Sequence, residues 1–427
     1  MDLFGELEWR GLVYAATDGA KERLARPNMT AYVGFDPTAS SLHVGSLLPI
    51  MVLARLQRFG HSPIAVVGGG TGLIGDPSGK TVERQLLTVE CVERNVEGLR
   101  RQLSRFLDFD AVTNPARLVN NAEWLMKLSA VDFMRDIGKH FTVNYMLAKE
   151  SVKRRVAGEE GISYTEFSYL LLQAYDFLKL HETYHCTVQM GGSDQWGNIT
   201  AGIELIRRMR PAGAERAYGL VFPLLTTAPG TKFGKTEAGS LWLDSTLTMP
   251  YEFYQFWLNT DDRDAVRYLK FFTFLDAAQI SELEAAGTRE PEQRHTQRAL
   301  AREVTGLVHG AQAVRDAEVA AEKLFSGKLR ELPADLILQA YKLVPSKSVP
   351  RRTEGWRIAS LLTDVGVTSS NSEATRLIRS GGIYVNDERV TDEKARLSPE
   401  QAIDGQLFVI RKGKKDNFLI RIQQGLT

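Results

Sequence analysis

Apolar positions change their period several times along the 427 residues of this chain, and each change marks an element. AYVGF, 31–35, is a short apolar run of strand type. LLPIMVLARLQRF, 47–59, is apolar at helical spacing and stops at Gly60, and SPIAVVGGG, 62–70, is apolar again and runs out into glycines. Strand, helix and strand with a glycine-rich exit predict a βαβ unit, hence parallel strands with a ligand site at their carboxyl ends. From about 83 to 180 the spacing is mostly helical, and strands return at CTVQM, 186–190, and GLVFPLLT, 219–226. The expectation is an α/β sheet domain over 1–228, interrupted by a helical insertion at about 83–180. FYQFWLNT, VRYLKFFTFL and ALAREVTGLVHG then return to helical spacing and predict an α-helical domain over 229–327. KLVPSKSVPRRTEG sets two prolines among basic and hydroxyl residues, so 328–354 reads as a linker. Residues 355–427 read as a small α+β unit: a helix pair, a stop at Gly381-Gly382, and a strand alternating Ile383 and Val385 against Tyr384 and Asn386.

Composition narrows the function class without naming it. Lys and Arg total 53 against 52 Asp and Glu, so binding to a polyanion has to come from local patches rather than from net charge. The two cysteines, Cys91 and Cys186, are far apart and outside any C-x-x-C frame, which argues against a disulfide scaffold or a zinc ribbon and for a reducing compartment. No stretch approaches the ~18 uninterrupted apolar residues of a membrane span, and MDLFGELEWRG lacks an apolar leader core. A soluble, cytosolic protein with no membrane partner is expected.

Two glycine-rich stretches imitate nucleotide motifs. GTGLIG, 70–75, has the dinucleotide spacing but leads toward a charged helix around Glu93, not toward a second strand with an acid at its end. GDPSGKT, 75–81, has three residues between its glycines where a phosphate cradle needs four. Asp76 and Lys80 still need partners in such a corner. Helix-start amides favour anions, so the single His43 in FDPTASSLHVGS, 35–46, stands where a phosphate would approach, though a structural histidine stays open for it. GTKFGKTE, 230–237, carries Lys232 and Lys235 three apart in a glycine-rich loop; taken alone, a solvated charged loop is equally consistent. In TEFSYLLLQAYDF, Tyr169, Gln173 and Asp176 follow i, i+4, i+7 and share one helical face among Phe167, Leu171, Leu172 and Phe177. A polar stripe on so apolar a helix has to look into a polar cavity.

HVGS, 43–46, and KFGKT, 232–236, together resemble the HIGH and KMSKS signatures of class I aminoacyl-tRNA synthetases. YVGFDPTASSLHVGS, TEFSYLLLQAYDF and QMGGSDQWGNITAG look like the tyrosyl enzymes of bacteria, and the resemblance runs from about residue 30 to the C-terminus. It implies a Rossmann-like parallel-sheet catalytic domain that activates tyrosine with ATP, expels pyrophosphate and transfers tyrosine to the end of tRNA(Tyr). By that resemblance, Asp176 and Tyr32 hydrogen-bond the phenolic hydroxyl, Asp76, Tyr169 and Gln173 hold the ammonium, and Gly34, Asn121 and Gln195 complete the amino-acid pocket. Thr38, His43, Lys80, Arg84, Lys232 and Lys235 serve the pyrophosphate. Asp36, Gly45, Gly192 and Asp194 face the adenylate, and Mg2+ arrives with ATP rather than in a protein cage. No general base is needed, because the attacking carboxylate is already ionised.

The C-terminal unit resembles the small RNA-binding module of a ribosomal small-subunit protein. Arg376, Arg379, Arg411, Lys412, Lys414 and Lys415 would track the anticodon stem and variable arm, and Lys149, Glu150, Arg207 and Arg208 the acceptor stem. Homodimers are expected of the family. Two departures stand out: Ser46 replaces the fourth signature residue, and the second signature reads KFGKT. Two alternatives remain: a tryptophanyl-type synthetase on the same sheet, which Asp176 and Tyr32 discriminate, and a non-catalytic RNA-binding descendant, which the presence of His43, Lys232, Lys235 and the whole tyrosine pocket disfavours.

Overall fold

The computed structural model describes residues 1–78, 87–158, 161–211, 213–228, 230, 233–236, 239–341, 344–413 and 416–423, without the side chains of 235, 236 and 325. The chain forms two compact units: Met1–Met249 with Phe256–Val308, and Pro250–Gln255 with His309–Thr427.

In the first unit the order is α1 (Leu3–Trp9), β1 (Ala15–Ala16), α2 (Ala20–Leu24), β2 (Thr30–Phe35), α3 (Leu47–Arg58), β3 (Ser62–Val67), α4 (Val89–Leu103) and β4 (Arg117–Asn120). Short helices α5 (Ala122–Leu125), α6 (Ala130–Asp132), α7 (Val143–Leu147) and α8 (Glu150–Val156) follow, then α9 (Tyr164–Tyr184), β5 (Cys186–Gly192), α10 (Trp196–Met209) and β6 (Tyr218–Phe222). A hairpin of β7 (Lys235–Thr236) and β8 (Gly239–Ser240) precedes α11 (Pro250–Leu258), which belongs to this unit from Phe256 on, α12 (Asp262–Phe272), α13 (Ala277–Arg289) and α14 (His295–His309), which belongs to it as far as Val308.

Six strands make one sheet in the order β1-β6-β5-β2-β3-β4, parallel except where β1 meets β6. β3 and β5 are buried almost end to end, as strands covered on both faces require, and this is why their sequences read as unbroken apolar runs. The strand order reverses between β2 and β5, which leaves a crevice at their carboxyl ends.

Two strands depart from the sequence reading. β4 falls inside the stretch expected as helical insertion, so the insertion proper begins after Asn120. RLVN is a four-residue edge strand with Val119 alone fully buried, too short to show a period. β1 is shorter still. GLVFPLLT also yields strand only as far as Phe222, because Pro223 cannot continue the ladder.

α9 is the platform of the site. Ser163 caps it by accepting from Glu166 N (3.2 Å), and Leu170, Leu171, Ala174, Phe177 and Leu178 pack into the core against β5 and α10. Gly202 of α10 admits Phe177: a Cβ there would lie 2.9 Å from its ring. Glu166 also pairs bidentately with Arg155 of α8 (2.7 and 2.9 Å), both 3% exposed.

The second unit contains α15 (Ala311–Ser326), α16 (Ala334–Ala340), β9 (Ser346–Pro350), β10 (Trp356–Arg357), α17 (Ile358–Asp364), α18 (Asn371–Arg379), β11 (Ile383–Val385), β12 (Glu388–Val390), β13 (Arg396–Leu397), β14 (Leu407–Lys412) and β15 (Asp416–Gln423). Its main sheet runs β12-β11-β14-β15-β9, with β9 parallel to β15.

The expected linker, 328–354, is therefore largely structure. Ile337 of α16 packs with Leu407, Val409 and Leu419, and β9 closes the sheet edge. Its prolines misled the reading because an edge strand tolerates a missing donor, as at Pro350 opposite Gln423. Asn386, expected on the outer face, is 3% exposed: with Asp387 it forms a tight turn at φ 49° and 67°, and its side chain bonds Val409 N (2.9 Å) and Gln401 O (3.0 Å).

Candidate active site

The crevice between β2 and β5 is a cavity of about 330 Å3 lying within the first unit. α9 presents Tyr169, Gln173 and Asp176 to it, on the one face its apolar residues leave over. Asp176 is 4% exposed; its carboxylate accepts from Trp124 Nε1 (2.7 Å) and Asn121 Nδ2 (2.8 Å). Asn121 is fixed in turn, accepting from Gly70 N (2.8 Å) and donating to Thr71 Oγ1 (2.9 Å). Burial raises the Asp176 pKa to about 7; the Asn121 and Trp124 donors oppose that rise and the Asp36 charge adds to it. Tyr32 lies edge-on to Phe177, ring centroids 5.4 Å apart, and its buried Oη finds no partner among the described residues. Burial, then the charges of Asp176 and Cys186, push its phenol well above the ordinary value, so it stays a neutral hydroxyl. A carboxylate with acceptor capacity to spare beside a hydroxyl with no partner suits a ligand group that both donates and accepts.

A second carboxylate serves another part of the wall. Asp76, 7% exposed, accepts from Ser78 N (2.9 Å) and Gln195 Nε2 (2.7 Å). Gln195 Oε1 accepts from Gln173 Nε2 and Asn198 Nδ2, each at 3.2 Å, and Asn198 donates to Gln173 Oε1 (2.9 Å). One buried charge thus sits among oriented amides. Gly34 leaves open space, since a Cβ there would meet nothing within 4 Å, whereas a Cβ at Gly192 would come within 2.7 Å of Asp194 Oδ1. Asp36 lies 3.5 Å from Tyr169 Oη, and both Asp36 and Asp194 line the cavity.

His43 stands at the same cavity and caps the turn Val44–Ser46, its Nδ1 accepting from Gly45 N (2.9 Å). An accepting Nδ1 places the neutral ring's proton on Nε2, which makes His43 a donor. Gly45 is required there, since a Cβ would come 2.7 Å from the imidazole. The hydroxyls before it are partly scaffold: Ser41 is buried, donates to Leu42 O (2.8 Å) and accepts from Gln102 of α4 (2.9 Å). Asn95 of α4 donates to Pro37 O (2.9 Å), and Gly98 lets the helix touch Ser40.

Thr38 does not join the group: it is exposed on the turn, its N–H bonded to Asp36 O (2.9 Å), and it lies off the cavity wall. Lys80, Arg84 and Lys232 lie outside the described residues, as does the side chain of Lys235. The backbone beside the second signature does reach the first. Val44 N donates to Leu241 O (2.8 Å), Leu243 N to Leu42 O (2.8 Å) and Leu241 N to Gly234 O (3.1 Å).

Comparison with known proteins separates lineages that share this geometry. Residues 24–326 match the family model described as tRNA synthetases class I (W and Y), and 337–420 the one described as Tyrosine--tRNA ligase SYY-like C-terminal domain. The chain is 55% identical to a tyrosine–tRNA ligase of Roseiflexus castenholzii over 98% of its own length and 99% of that protein's, and 53% identical to one of Geobacillus stearothermophilus over 99% and 100%. It belongs to the tyrosine–tRNA ligases. Among solved structures, a C-terminally truncated mitochondrial tyrosyl-tRNA synthetase of Coccidioides posadasii aligns at TM-score 0.66 and 33% identity, covering 74% of this chain and 91% of that one. A tryptophanyl-tRNA synthetase of Encephalitozoon cuniculi aligns at TM-score 0.52 and 14% identity, covering 74% and 89%; that likeness is of fold alone.

In this member of the tyrosine–tRNA ligases the basic residues expected at RNA differ in how they are held. Lys149 is half-buried, donates to Thr200 Oγ1 (3.0 Å) and lies 4.2 Å from the Tyr145 ring centre; burial holds its pKa down. Glu150 is exposed, and Arg207 and Arg208 share Glu204 at 2.7 and 2.5 Å. In the second unit Arg376 and Arg379 are exposed on the last turn of α18, and Arg379 reaches Glu393 (2.9 Å). Arg411 stacks on Tyr384 at 3.8 Å, whereas Lys412 is engaged by Glu373 (3.0 Å) and Val367 O (3.1 Å). Lys414 and Lys415 lie outside the described residues.

Three residues at or behind the cavity wall escaped the sequence reading: Gln189 lines it, while Trp124 and Asn198 bond lining side chains, Asp176 and Gln173. Trp124 has no motif around it. Asn198 and Gln189 stood inside QMGGSDQWGNITAG without assigned roles; Gln189 lines the cavity, is 2% exposed, and its Oε1 finds no partner among the described residues.

Proposed function

We propose that the cavity makes tyrosyl-adenylate and presents it to tRNA(Tyr), with the roles divided as follows. Asp176 and Tyr32 bind the phenolic hydroxyl. Asp76, Tyr169 and Gln173 take the ammonium; Gln195 holds Asp76 and Gln173 in place, and Asn121 holds Asp176. The tyrosine carboxylate then attacks the α-phosphorus of ATP in line, its C–O–P bond forming as the bond to pyrophosphate breaks, and no proton has to move. Charge grows on the leaving phosphates, so the residues that matter are donors. His43 donates through Nε2, and Lys80, Arg84, Lys232 and Lys235 supply positive charge. Asp194 bonds the ribose hydroxyls beside Gly192, and Gly34, Asp36 and Gly45 line the path of the adenylate. Thr38 would have to turn inward to reach a phosphate. ATP enters as its magnesium complex, the ion held through phosphates and water.

The observation that carries this reading is the buried Asp176, already bonded to Asn121 and Trp124, beside a Tyr32 hydroxyl without a partner. An indole N–H needs an acceptor only. A phenol uses both groups, and phenylalanine would leave both unpaired, a rule for which tyrosyl enzymes are themselves the standing example.

We further propose that Arg376, Arg379 and Arg411 with Lys414 and Lys415 contact tRNA phosphates, with Lys412 serving the module's own packing, and that Lys149, Glu150, Arg207 and Arg208 face the acceptor stem. The separate RNA-binding module begins near Ser346 in this reading. Met126, Val131, Met134, Val143 and Tyr164, all more than half exposed in one stretch of chain, support a homodimer through that surface. Two unpaired cysteines, and no helix among the described residues long and apolar enough to cross a membrane, agree with a cytosolic site of action.

Amino-acid-dependent exchange of pyrophosphate into ATP tests the first step. Exchange with tyrosine and not with tryptophan or phenylalanine is expected; exchange driven by tryptophan, or none at all, would overturn the reading.

A further inference from the structure

The second signature contains one residue whose position the charge argument does not explain. Phe233, directly after Lys232 and two before Lys235, is 5% exposed although the sequence around it, GTKFGKTE, is polar and glycine-rich. Its ring stacks on Phe272 (5.6 Å, 9° between planes) and meets Tyr268, Phe256 and Trp257 edge-on or tilted at 5.1, 5.6 and 5.8 Å. These four rings come from α11 and α12, and three of them, Trp257, Tyr268 and Phe272, are almost wholly buried. A loop that needed only two ammonium groups would have no use for an aromatic side chain in such a box.

The box is tied to the first signature by two routes. α12 ends at Phe272, and the carbonyls of Lys270 and Thr273 at that end accept from Arg55 of α3 (3.1 and 2.6 Å) and from Arg10 (2.9 and 3.2 Å). Arg55 is 1% exposed, and α3 is the helix that starts at the His43 corner. Buried cations at a helix C-terminus complement its dipole and its unbonded carbonyls, so α12 is anchored to α3. The second route is the backbone ladder Val44–Leu241–Gly234 already described. Gly234, at φ 75°, is in contact with Val44 so closely that a Cβ would collide with it. The chain entering the loop is held too: Asp264 accepts from Ala228 N (2.6 Å) and Arg267 donates to Thr226 O (3.0 Å).

We propose that Phe233 is a positioning residue of the adenylation step. Seated among Phe256, Trp257, Tyr268 and Phe272, it sets the height of the KFGKT loop over the His43 corner, so that the two flanking lysines meet the phosphates of ATP. The inference rests on the proposed role of those lysines. It assigns Phe233 no contact with substrate; the residue acts through the loop.

Phe233→Ala removes the anchor while leaving both lysines and the tyrosine pocket. Misplacing groups by about 1 Å costs ~10²-fold in rate. Pyrophosphate exchange at saturating tyrosine and ATP should therefore fall about 10²-fold, with the larger loss in kcat than in the KM for ATP, while equilibrium tyrosine binding stays within about twofold. Phe233→Met, an unbranched apolar side chain that can refill the box, should recover much of the rate. Lys235→Ala is the companion variant. If Lys235→Ala lowers exchange and Phe233→Ala does not, the anchor is refuted and the lysine role stands. If Lys235→Ala leaves exchange intact, the lysine role fails, and the anchor with it. Equal loss of tyrosine binding and exchange in Phe233→Ala, without rescue by Phe233→Met, also refutes the anchor, because the residue then serves general folding.

Discussion

The two ends of the cavity are built from different materials. At the end proposed for the amino acid, side chains on α9 and the strand exits are buried and pre-bonded: Asp176 to Asn121 and Trp124, Asp76 to Gln195 and Ser78. At the end proposed for the nucleotide the wall is glycine, backbone and a histidine held by its own Nδ1, and Phe233 of the second signature stacks on Phe272. The contrast is what the proposed division of roles requires. A phenol differs from its competitors by one hydroxyl, so discrimination depends on polar groups that cannot relax when that hydroxyl is missing. Phosphates carry charge that moves during the reaction, so that end needs donors realised most fully in the transition state.

Substitutions at the two ends should therefore fail differently. The largest effect belongs to the nucleotide end. His43→Asn keeps an acceptor for the Gly45 N–H but removes the Nε2 donor, and should lower the exchange rate by about 10²–10³ with tyrosine binding unchanged. Parallel loss of tyrosine affinity would break the division. At the amino-acid end, Asp176→Asn should weaken tyrosine binding by about 10–100-fold, the worth of a hydrogen bond to a charged group, as read by equilibrium titration.

The same carboxylate predicts a pH dependence. Its folded pKa of about 7 lies above the ordinary carboxylate value, so the ligand-free protein binds a proton the unfolded chain does not. The stability from this group is fully present below the unfolded value and is lost as pH rises through about 7. A ligand that donates to the carboxylate prefers the ionised form, so tyrosine affinity should rise over that same window, and Asp176→Asn should flatten both trends. Tyr32→Phe gives the smallest effect. Because its hydroxyl lacks a partner, thermal stability without tyrosine should hold or increase, while tyrosine affinity falls by about 3–10-fold.

The amino-acid end was also the more legible in sequence, and the reason is geometric. Tyr169, Gln173 and Asp176 share a regular helix, where spacing alone fixes a common face. Trp124 and Asn198 bond the lining side chains Asp176 and Gln173 from a four-residue helix and from the start of α10, so neither follows a period that leads there. Phe233 received no role from the sequence, because its four aromatic partners stand 23 to 39 positions further on, beyond any local pattern. β4 and β9 were hidden by the same locality. A four-residue edge strand shows no alternation, and prolines that signal a break in isolation are harmless at a sheet edge.

The most direct test of the division is a crystal structure with tyrosine bound. The phenolic oxygen should lie within hydrogen-bond distance of both Asp176 and Tyr32, with the ammonium at Asp76, Tyr169 and Gln173. Tyrosine bound the other way round, or a phenol facing solvent with Asp176 still bonded only to Asn121 and Trp124, would contradict it.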